Sequence, residues 1–557
     1  MVERFFRTLG RDIPGLHEAA YLLAGFVFLS QLLALFRDRL LAHFFGAGTQ
    51  LDIYYAAFRI PDFLYITLAS LVASAVLIPF ITQKLGKKEE AKKFFNSIFT
   101  LFFGLMALAS VVVFFALPFL SRFVAPGLPV AAQHELVSLS RIILLSPFLL
   151  GLSGLFASVT QTLRRFFVYA ISPVLYNVGI IFGIIFFYPT FGLAGLAYGV
   201  ALGAFLHMLI QVPVLLKNDF MPRFTTAIEW GEVGKVFAIS LPRAITLSAQ
   251  HLTLFVLIAI ASFMEEGSIA IFNFSFNLQS VPLAIIGVSY SVAAFPTLAR
   301  LFGNGDQNAF GRQMMIATRH IIFWSMPVLV LFIVLRAQIV RTILGTGAFD
   351  WADTRLTAAA LALFVVSVLG QSLMLIFVRG YYAAGRTLKP LVINVCIAAG
   401  IIVTAFILVK AFSISAHFRY FLEALFRVEE LPGTIVIVLP LAFSIGAILN
   451  AVILWICFEK DFSLSFRDVF LTFRQSFYAA VLAGFVAYQG LNALDDVFDL
   501  DTFFGIALQG FISGMLGICA WALVLMLMKN KEIREIGQSL HGAFWMAKPV
   551  APDQSEL

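Results

Sequence analysis

Fourteen long apolar runs follow one another along this chain, separated mostly by short polar connections, and that pattern decides what it can become. They cover about 19–46, 52–83, 95–120, 136–160, 169–188, 192–216, 235–262, 269–299, 316–335, 356–378, 389–411, 434–457, 475–491 and 502–528. A helix needs roughly 17–25 mainly apolar residues to cross a bilayer. Each run therefore reads as one span, and the longer ones must tilt or project. Composition agrees. Of 557 residues, 61% are hydrophobic and 12% charged, with a mean hydropathy of +0.95. Soluble domains run at roughly 45–50% apolar and about 25% charged, so too few polar side chains exist to cover a soluble surface. Disorder is excluded for the same reason. The fold class is an all-α polytopic membrane protein with about 14 transmembrane helices.

Charge placement tests the count. If the spans alternate, 26 of the 38 Lys and Arg fall at the odd ends and loops and 7 on the opposite side. The largest groups are Lys84, Lys87, Lys88, Lys92 and Lys93 after the second span and Lys529, Lys531, Arg534 and Lys548 after the last. Basic loops stay in the cytoplasm, so both termini are expected there. Acidic loops at Glu265-Glu266 and Asp495–Asp501 fall on the other side. The formal charge of +7 reflects this bias rather than a nucleic-acid partner. No cleavable signal peptide is read at the start. The segment 412–433 reads either as a short amphipathic helix at the outer interface or as a solvated loop. The polar stretch 217–234 is the best internal boundary. The expected organisation is an N-terminal segment 1–18, helices 1–6 over 19–217, a linker 218–234, helices 7–12 over 235–458, helices 13–14 over 459–529, and a tail 530–557.

The search for chemistry is largely negative. HExxH, GxSxG, a Walker A loop and paired cysteine ligands are all missing from the sequence. Cys396, Cys457 and Cys519 read as buried small hydrophobes, and no metal site is expected. The chain is not expected to be an enzyme and no cofactor is expected. Transport would run on the membrane potential, an ion gradient or the substrate's own gradient.

Ionisable residues inside spans are costly and commonly functional, and here they concentrate near the start. Arg37, Asp38 and Arg39 end the first span. Asp52, Arg59 and Asp62 begin the second, at i, i+7 and i+10, on one helical face. Consecutive residues point about 100° apart, so Arg37, Asp38 and Arg39 cannot all share a face. Two readings stand. One is a polar cavity wall with cations suited to phosphate. The other is an ion-pair network locking the first two helices, with snorkelling at their ends. Arg141 and Arg243 stand alone, and Arg243 is placed to snorkel at the cytoplasmic end of its span. Gly46, Gly48, Pro61 and a series of span prolines supply helix breaks.

The segment LFRDRLLAHFFGAGTQLDIYYAAFRIPDFL at 35–64 resembles the opening of the MurJ/MviN family of lipid II flippases. The matching features are Arg37-Asp38, Phe45-Gly46-Ala47-Gly48, Asp52 and Phe58-Arg59-Ile60-Pro61-Asp62. GLAYGVALGAFLHMLIQVP at 195–213 resembles the family's sixth helix and SVPLAIIGVSYSVAAFPTLAR at 280–300 its eighth. GTGAFDWADT at 345–354 and YYAAGRTLKP at 381–390 fit as well. The resemblance implies two six-helix lobes in a V-shaped transporter plus two C-terminal helices, with residues 475–529 forming a lipid-tail groove. It implies a cationic central cavity for a lipid-linked diphosphate-sugar substrate, carried outward by alternating access in the bacterial cytoplasmic membrane. Membrane lipids and cell-wall synthesis proteins are the implied partners.

Carried over residue by residue, the implied substrate-binding set is Arg37, Asp38, Asp52, Arg59, Arg243 and Asn277. The chain departs from the family pattern at Gln31, Tyr65, Ile66, Ser70, Phe276 and Asn277, so at least three expected cavity cations are missing. Either Arg37, Arg59 and Arg243 suffice, or the cargo is another polyprenyl-linked glycan or a small cation. A non-transporting envelope scaffold is the third reading.

Overall fold

The computed structural model describes residues 16–535 apart from 73, 85, 465–466 and 501; side chains at 16–21, 24, 74–76, 242–243 and 467–468 also fall outside that description. Its long helices run in chain order as α1 (Leu16–Phe45), α2 (Thr49–Lys84), α3 (Lys88–Val124), α4 (Val130–Thr162), α5 (Phe166–Phe191), α6 (Leu193–Lys217) and α7 (Trp230–Ala261). They continue as α8 (Ser268–Gly303), α9 (Gln307–Val334), α10 (Trp351–Ala383), α11 (Leu388–Ile414), α12 (Thr434–Phe462), α13 (Arg467–Ala493) and α14 (Phe503–Leu527). No strand occurs among the described residues. Among the described residues, thirteen helices, α2 to α14, are long and apolar enough to cross a bilayer. The 30 residues of α1 make about 45 Å of helix. The chain is a multi-pass membrane protein.

Proline chemistry explains where spans bend. Pro61 has no N–H to donate four residues back, and α2 is interrupted at Phe58 between Thr49–Ala57 and Arg59–Ala69. The carbonyl of Ala57 accepts instead from the Ser140 hydroxyl of α4 at 3.1 Å. In α8, Pro282 is followed by a π-helical turn over Ala284–Val288.

Glycines set the tightest packing. A Cβ on Gly179 of α5 would lie 2.3 Å from the Cα of Gly203 on α6, and one on Gly183 2.4 Å from that of Gly199. Small residues four apart on facing helices let backbones touch, as membrane helices require for close packing.

The chain divides into two compact units. The first comprises Met1–Leu278, Ile343–Ala360 and Thr387–Gly446. Its largest core cluster is aromatic, built around Phe94, Phe95 and Phe102 of α3 with Leu155 of α4. The second comprises Gln279–Thr342, Leu361–Arg386 and Ala447–Leu557. There α13 and α14 pair and lie on α9: Phe323 meets Trp521 at 4.7 Å between ring centroids, beside Ala479 and Ala483. After α14, Glu532 is buried and accepts from Arg319 Nε at 2.6 Å and from Thr472 at 2.8 Å.

One expectation changes and one open alternative is decided. Cys396 and Cys519 are exposed rather than buried. The lipid-facing sides of membrane helices are as apolar as their packed sides, so hydropathy does not separate the two. Within 412–433 the helical alternative holds: Ala416–Phe426 is a helix whose N-cap Ser415 accepts from Phe418 N at 3.3 Å.

A polar seam along α8 as the candidate functional site

The ionisable residues of α1 and α2 converge on one face of α8, within the first compact unit. Gly267, Ala270, Asn273 and Asn277 recur at spacings of three and four, so they form a stripe. Asp52 is 4% exposed and accepts from Gly267 N at 2.8 Å and Ala270 N at 2.7 Å. It therefore caps α8 from a neighbouring helix, satisfying N–H groups that a helix start leaves unpaired, with its charge at the positive end of the dipole. One turn on, Arg59 donates to the Asn273 side chain. Further along, Asn277 Nδ2 donates to Asp38 Oδ2 at 3.0 Å.

Arg37 folds back onto its chain neighbour, donating to Asp38 Oδ1 from Nε at 3.0 Å and Nη2 at 2.8 Å, and to Asn177 Oδ1 of α5 at 3.2 Å. Asn177 in turn donates to Ser30 Oγ at 3.2 Å. Arg39 points elsewhere, to the Ile343 carbonyl at 3.2 Å, as the 100° step between neighbours requires. Asp38 is 3% exposed, while the Arg37 side chain keeps 20% of its surface. Two polar atoms beside the seam are buried without a hydrogen-bond partner: Arg59 Nε and the Tyr55 hydroxyl. Open donors of this kind are rare and call for an explanation.

Backbone close approaches tie down the α1–α2 turn. Ala47 N donates to Asp353 Oδ2 at 3.0 Å, Thr49 N to Glu266 Oε1 at 2.9 Å, and Ala348 N to the His43 carbonyl at 2.9 Å. The Thr49 hydrogen bonds hold the Glu266 carboxyl below its ordinary range. Gly267 has φ +84, and a Cβ there would lie 2.0 Å from the Ala47 carbonyl oxygen. Only glycine meets both demands.

Of the residues singled out from sequence, Arg37, Asp38 and Asn277 are joined in one hydrogen-bonded chain. Asp52 and Arg59 reach the same helix at other turns. The Arg243 side chain lies outside the described residues. Sequence reasoning passed over Asn273, Asn177 and Asp353. A signal existed for the two asparagines, since Asn177 is a lone amide within an apolar run and Asn273 opens a series with Asn277 and Gln279, and polar groups in such runs serve to join helices.

Many apolar helices with a buried ionic seam define a polytopic membrane protein, and comparison of folds gives its architecture. The structure superposes on an inward-facing multidrug-resistance MATE transporter of the MOP superfamily with a TM-score of 0.62 at 15% identity, over 78% of this chain and 94% of that one. It superposes on the solved lipid II flippase MurJ in an inward closed conformation with a TM-score of 0.73 at 21% identity, over 92% and 100%. In sequence, the lipid II flippase MurJ of Burkholderia cenocepacia is 26% identical over 398 residues, covering 70% of this chain and 76% of that protein. The probable lipid II flippase MurJ of Thermotoga maritima is 27% identical over 376 residues, 67% and 75% of the two chains. The family model described as lipid II flippase MurJ matches residues 41–508. The chain belongs to the MurJ family.

Proposed function

We propose that this protein flips lipid II, the lipid-linked peptidoglycan precursor, from the cytoplasmic to the outer face of the bacterial inner membrane by alternating access. The match of residues 41–508 to the flippase family carries this reading. The family is one of transporters, so the role is in cell-wall synthesis without catalysis. Both termini lie in the cytoplasm, on the strength of the Lys and Arg bias.

The substrate-binding set we propose is Arg37, Asp38, Asp52, Arg59, Arg243 and Asn277. Arg37 and Arg59 are the phosphate-directed cations. The half-satisfied Arg59, with its Nε open, supports that role because a guanidinium binds phosphate best through paired donors. Asp38 and Asn277 position Arg37. Asp52, as the cap of α8, belongs to the closure of the α1–α2 end, which must release for the headgroup to leave. The membrane potential or a cation gradient drives the cycle. The lipid tail lies along the apolar face of residues 475–529, and cell-wall synthesis proteins are the supply and delivery partners.

The test is outer-face accessibility of lipid II in cells depleted of their own flippase and expressing this chain, with Arg37→Ala beside it. Restored accessibility with the native chain and loss with Arg37→Ala, at equal membrane levels, is expected. No restoration by the native chain despite normal insertion would remove lipid II as the cargo.

A further inference from the structure

The stretch 217–234 reads in sequence as a polar connection, yet the strap that precedes α7 within it, 218–229, is fastened along the N-terminal half of α3. Arg223 N donates to Asn96 Oδ1 at 2.9 Å, Thr225 N to Thr100 Oγ1 at 3.1 Å, and Glu229 N to Ser97 Oγ at 3.3 Å. Phe224 lies against Phe99 and Phe103, with ring centroids 5.3 and 5.1 Å away. Between strap and helix is a cavity of about 270 Å³ lined by Glu89, Lys92, Lys93, Asn96, Asp219 and Arg223, with Phe95, Phe220 and Met221 completing its wall.

The charges in this pocket are unevenly matched. Lys92 is held by both carboxylates, Glu89 at 3.0 Å and Asp219 closer still. Asp219 is shared: besides Lys92, which does most to lower its carboxyl, Lys88 lies 3.9 Å from it and Arg223 is near enough to help. Lys93 and Arg223, which form no direct salt bridge among the described residues, thus add to the cations around one carboxylate. Apolar side chains on the strap and at the helix ends that flank it face outward: Leu216 is 60% exposed, Phe224 65% and Trp230 68%. A connection in bulk water has no reason to expose large apolar side chains at both ends and within it. A strap at headgroup depth does, because aromatic residues settle at the membrane interface and basic pockets beside spans take anionic headgroups.

We propose that this pocket binds the phosphate of an anionic phospholipid, supplied by the leaflet that the strap faces. Lys93 and Arg223 contact the phosphate, Asn96 donates from its amide, and Phe224 and Trp230 enter the interface beside the glycerol backbone. Asp219 acts as a brake, because it occupies Lys92. It sits at φ +58, a left-handed conformation that asparagine also adopts readily. Asp219→Asn therefore keeps the turn and removes one of the two carboxylates on Lys92, leaving Glu89 at 3.0 Å and one more net positive charge at the pocket.

The experiment is native mass spectrometry of the purified full-length protein titrated with phosphatidylglycerol or phosphatidylcholine, with inorganic phosphate as a separate arm. The native chain is expected to retain phosphatidylglycerol in preference by about fivefold or more. Lys93→Gln with Arg223→Gln should abolish the preference. Asp219→Asn should strengthen it about fivefold, the effect of one added surface charge, and misfolding cannot produce a gain. Equal retention of both lipids by the native chain would overturn the proposal, as would an unchanged preference in the double variant or no gain in Asp219→Asn. Inorganic phosphate that binds without lipid and displaces phosphatidylglycerol at millimolar concentration would overturn the lipid source.

Discussion

Asp52 engages both carboxylate oxygens with backbone N–H groups at the start of α8. Asp52→Asn presents an NH₂ to one of those donors and removes the favourable charge. The expected cost is about 1–3 kcal/mol, read as a lower thermal unfolding temperature in detergent. Asn277 offers a sharper contrast, because its amide donates to Asp38 at 3.0 Å. Asn277→Asp sets two carboxylates against each other and should reduce both stability and transport. Asn277→Arg keeps donors toward Asp38 and should preserve the fold. Equal thermal stability for the two would refute the donor role of Asn277. The sequence singles out Arg37, Asp38 and Asp52 as charges that need partners, because charge inside an apolar run is visible without coordinates. It did not identify those partners. Two of them, Gly267 N and Ala270 N, are backbone groups, which no residue type advertises.

At the scale of elements, the glycine contact between α5 and α6 makes a separable prediction. Gly203→Val forces branched carbon into a space already filled, since a Cβ at position 203 would lie 2.4 Å from the Tyr176 carbonyl oxygen. Overpacking of this kind costs roughly 1–3 kcal/mol or more. Reduced levels of folded protein are expected, measured by fluorescence-detected size-exclusion chromatography. Gly25→Ala, where nothing lies within 4 Å, serves as the neutral control. The helices themselves were legible because a long unbroken run of apolar residues leaves few alternatives. Their breaks were legible only in part. Pro61 signals an interruption of α2, but Ser140 as the new partner of the Ala57 carbonyl comes from a helix far along the chain. The polar composition of 217–234 marks a boundary in the sequence, and the strap is its part before Trp230, where α7 begins. Its docking on α3 depends on side chains of Asn96, Ser97 and Thr100, which in sequence look like ordinary helix residues.

At the scale of the whole molecule, the last described segment is tied to the second compact unit by the buried Arg319–Glu532 pair. Burial pushes the Glu532 carboxyl up, but hydrogen bonds from Thr472 and Arg319 outweigh it and hold the group below its ordinary range. The unfolded chain then takes up the proton at higher pH than the folded one. The stability from this pair is complete above about pH 4.5 and falls as acid protonates the folded carboxylate. Glu532→Gln should flatten that acid-side slope and lower stability at neutral pH by about 3–5 kcal/mol, because Arg319 is left buried without its counter-charge. Thermal unfolding of both proteins from about pH 3 to 7 checks it; parallel curves would rule the pair out as the source.

By itself, the sequence determined that this chain is a bundle of about fourteen membrane helices, through hydropathy and the high cost of exposing backbone to lipid. It also determined which charges inside the bundle demand an explanation, and through its motifs the family. Tertiary structure decided which atoms answer those charges, and which chain segments share a compact unit. Residues 343–360 and 387–446 pack in one unit with residues 1–278, and the stretch between them belongs to the other. The physical reason is that lipid accepts any apolar surface. Hydropathy thus fixes that a helix crosses, but not which neighbour it touches. That choice falls to short-range features such as a glycine face, a lone amide or a capped helix start, which act only once two helices are already side by side.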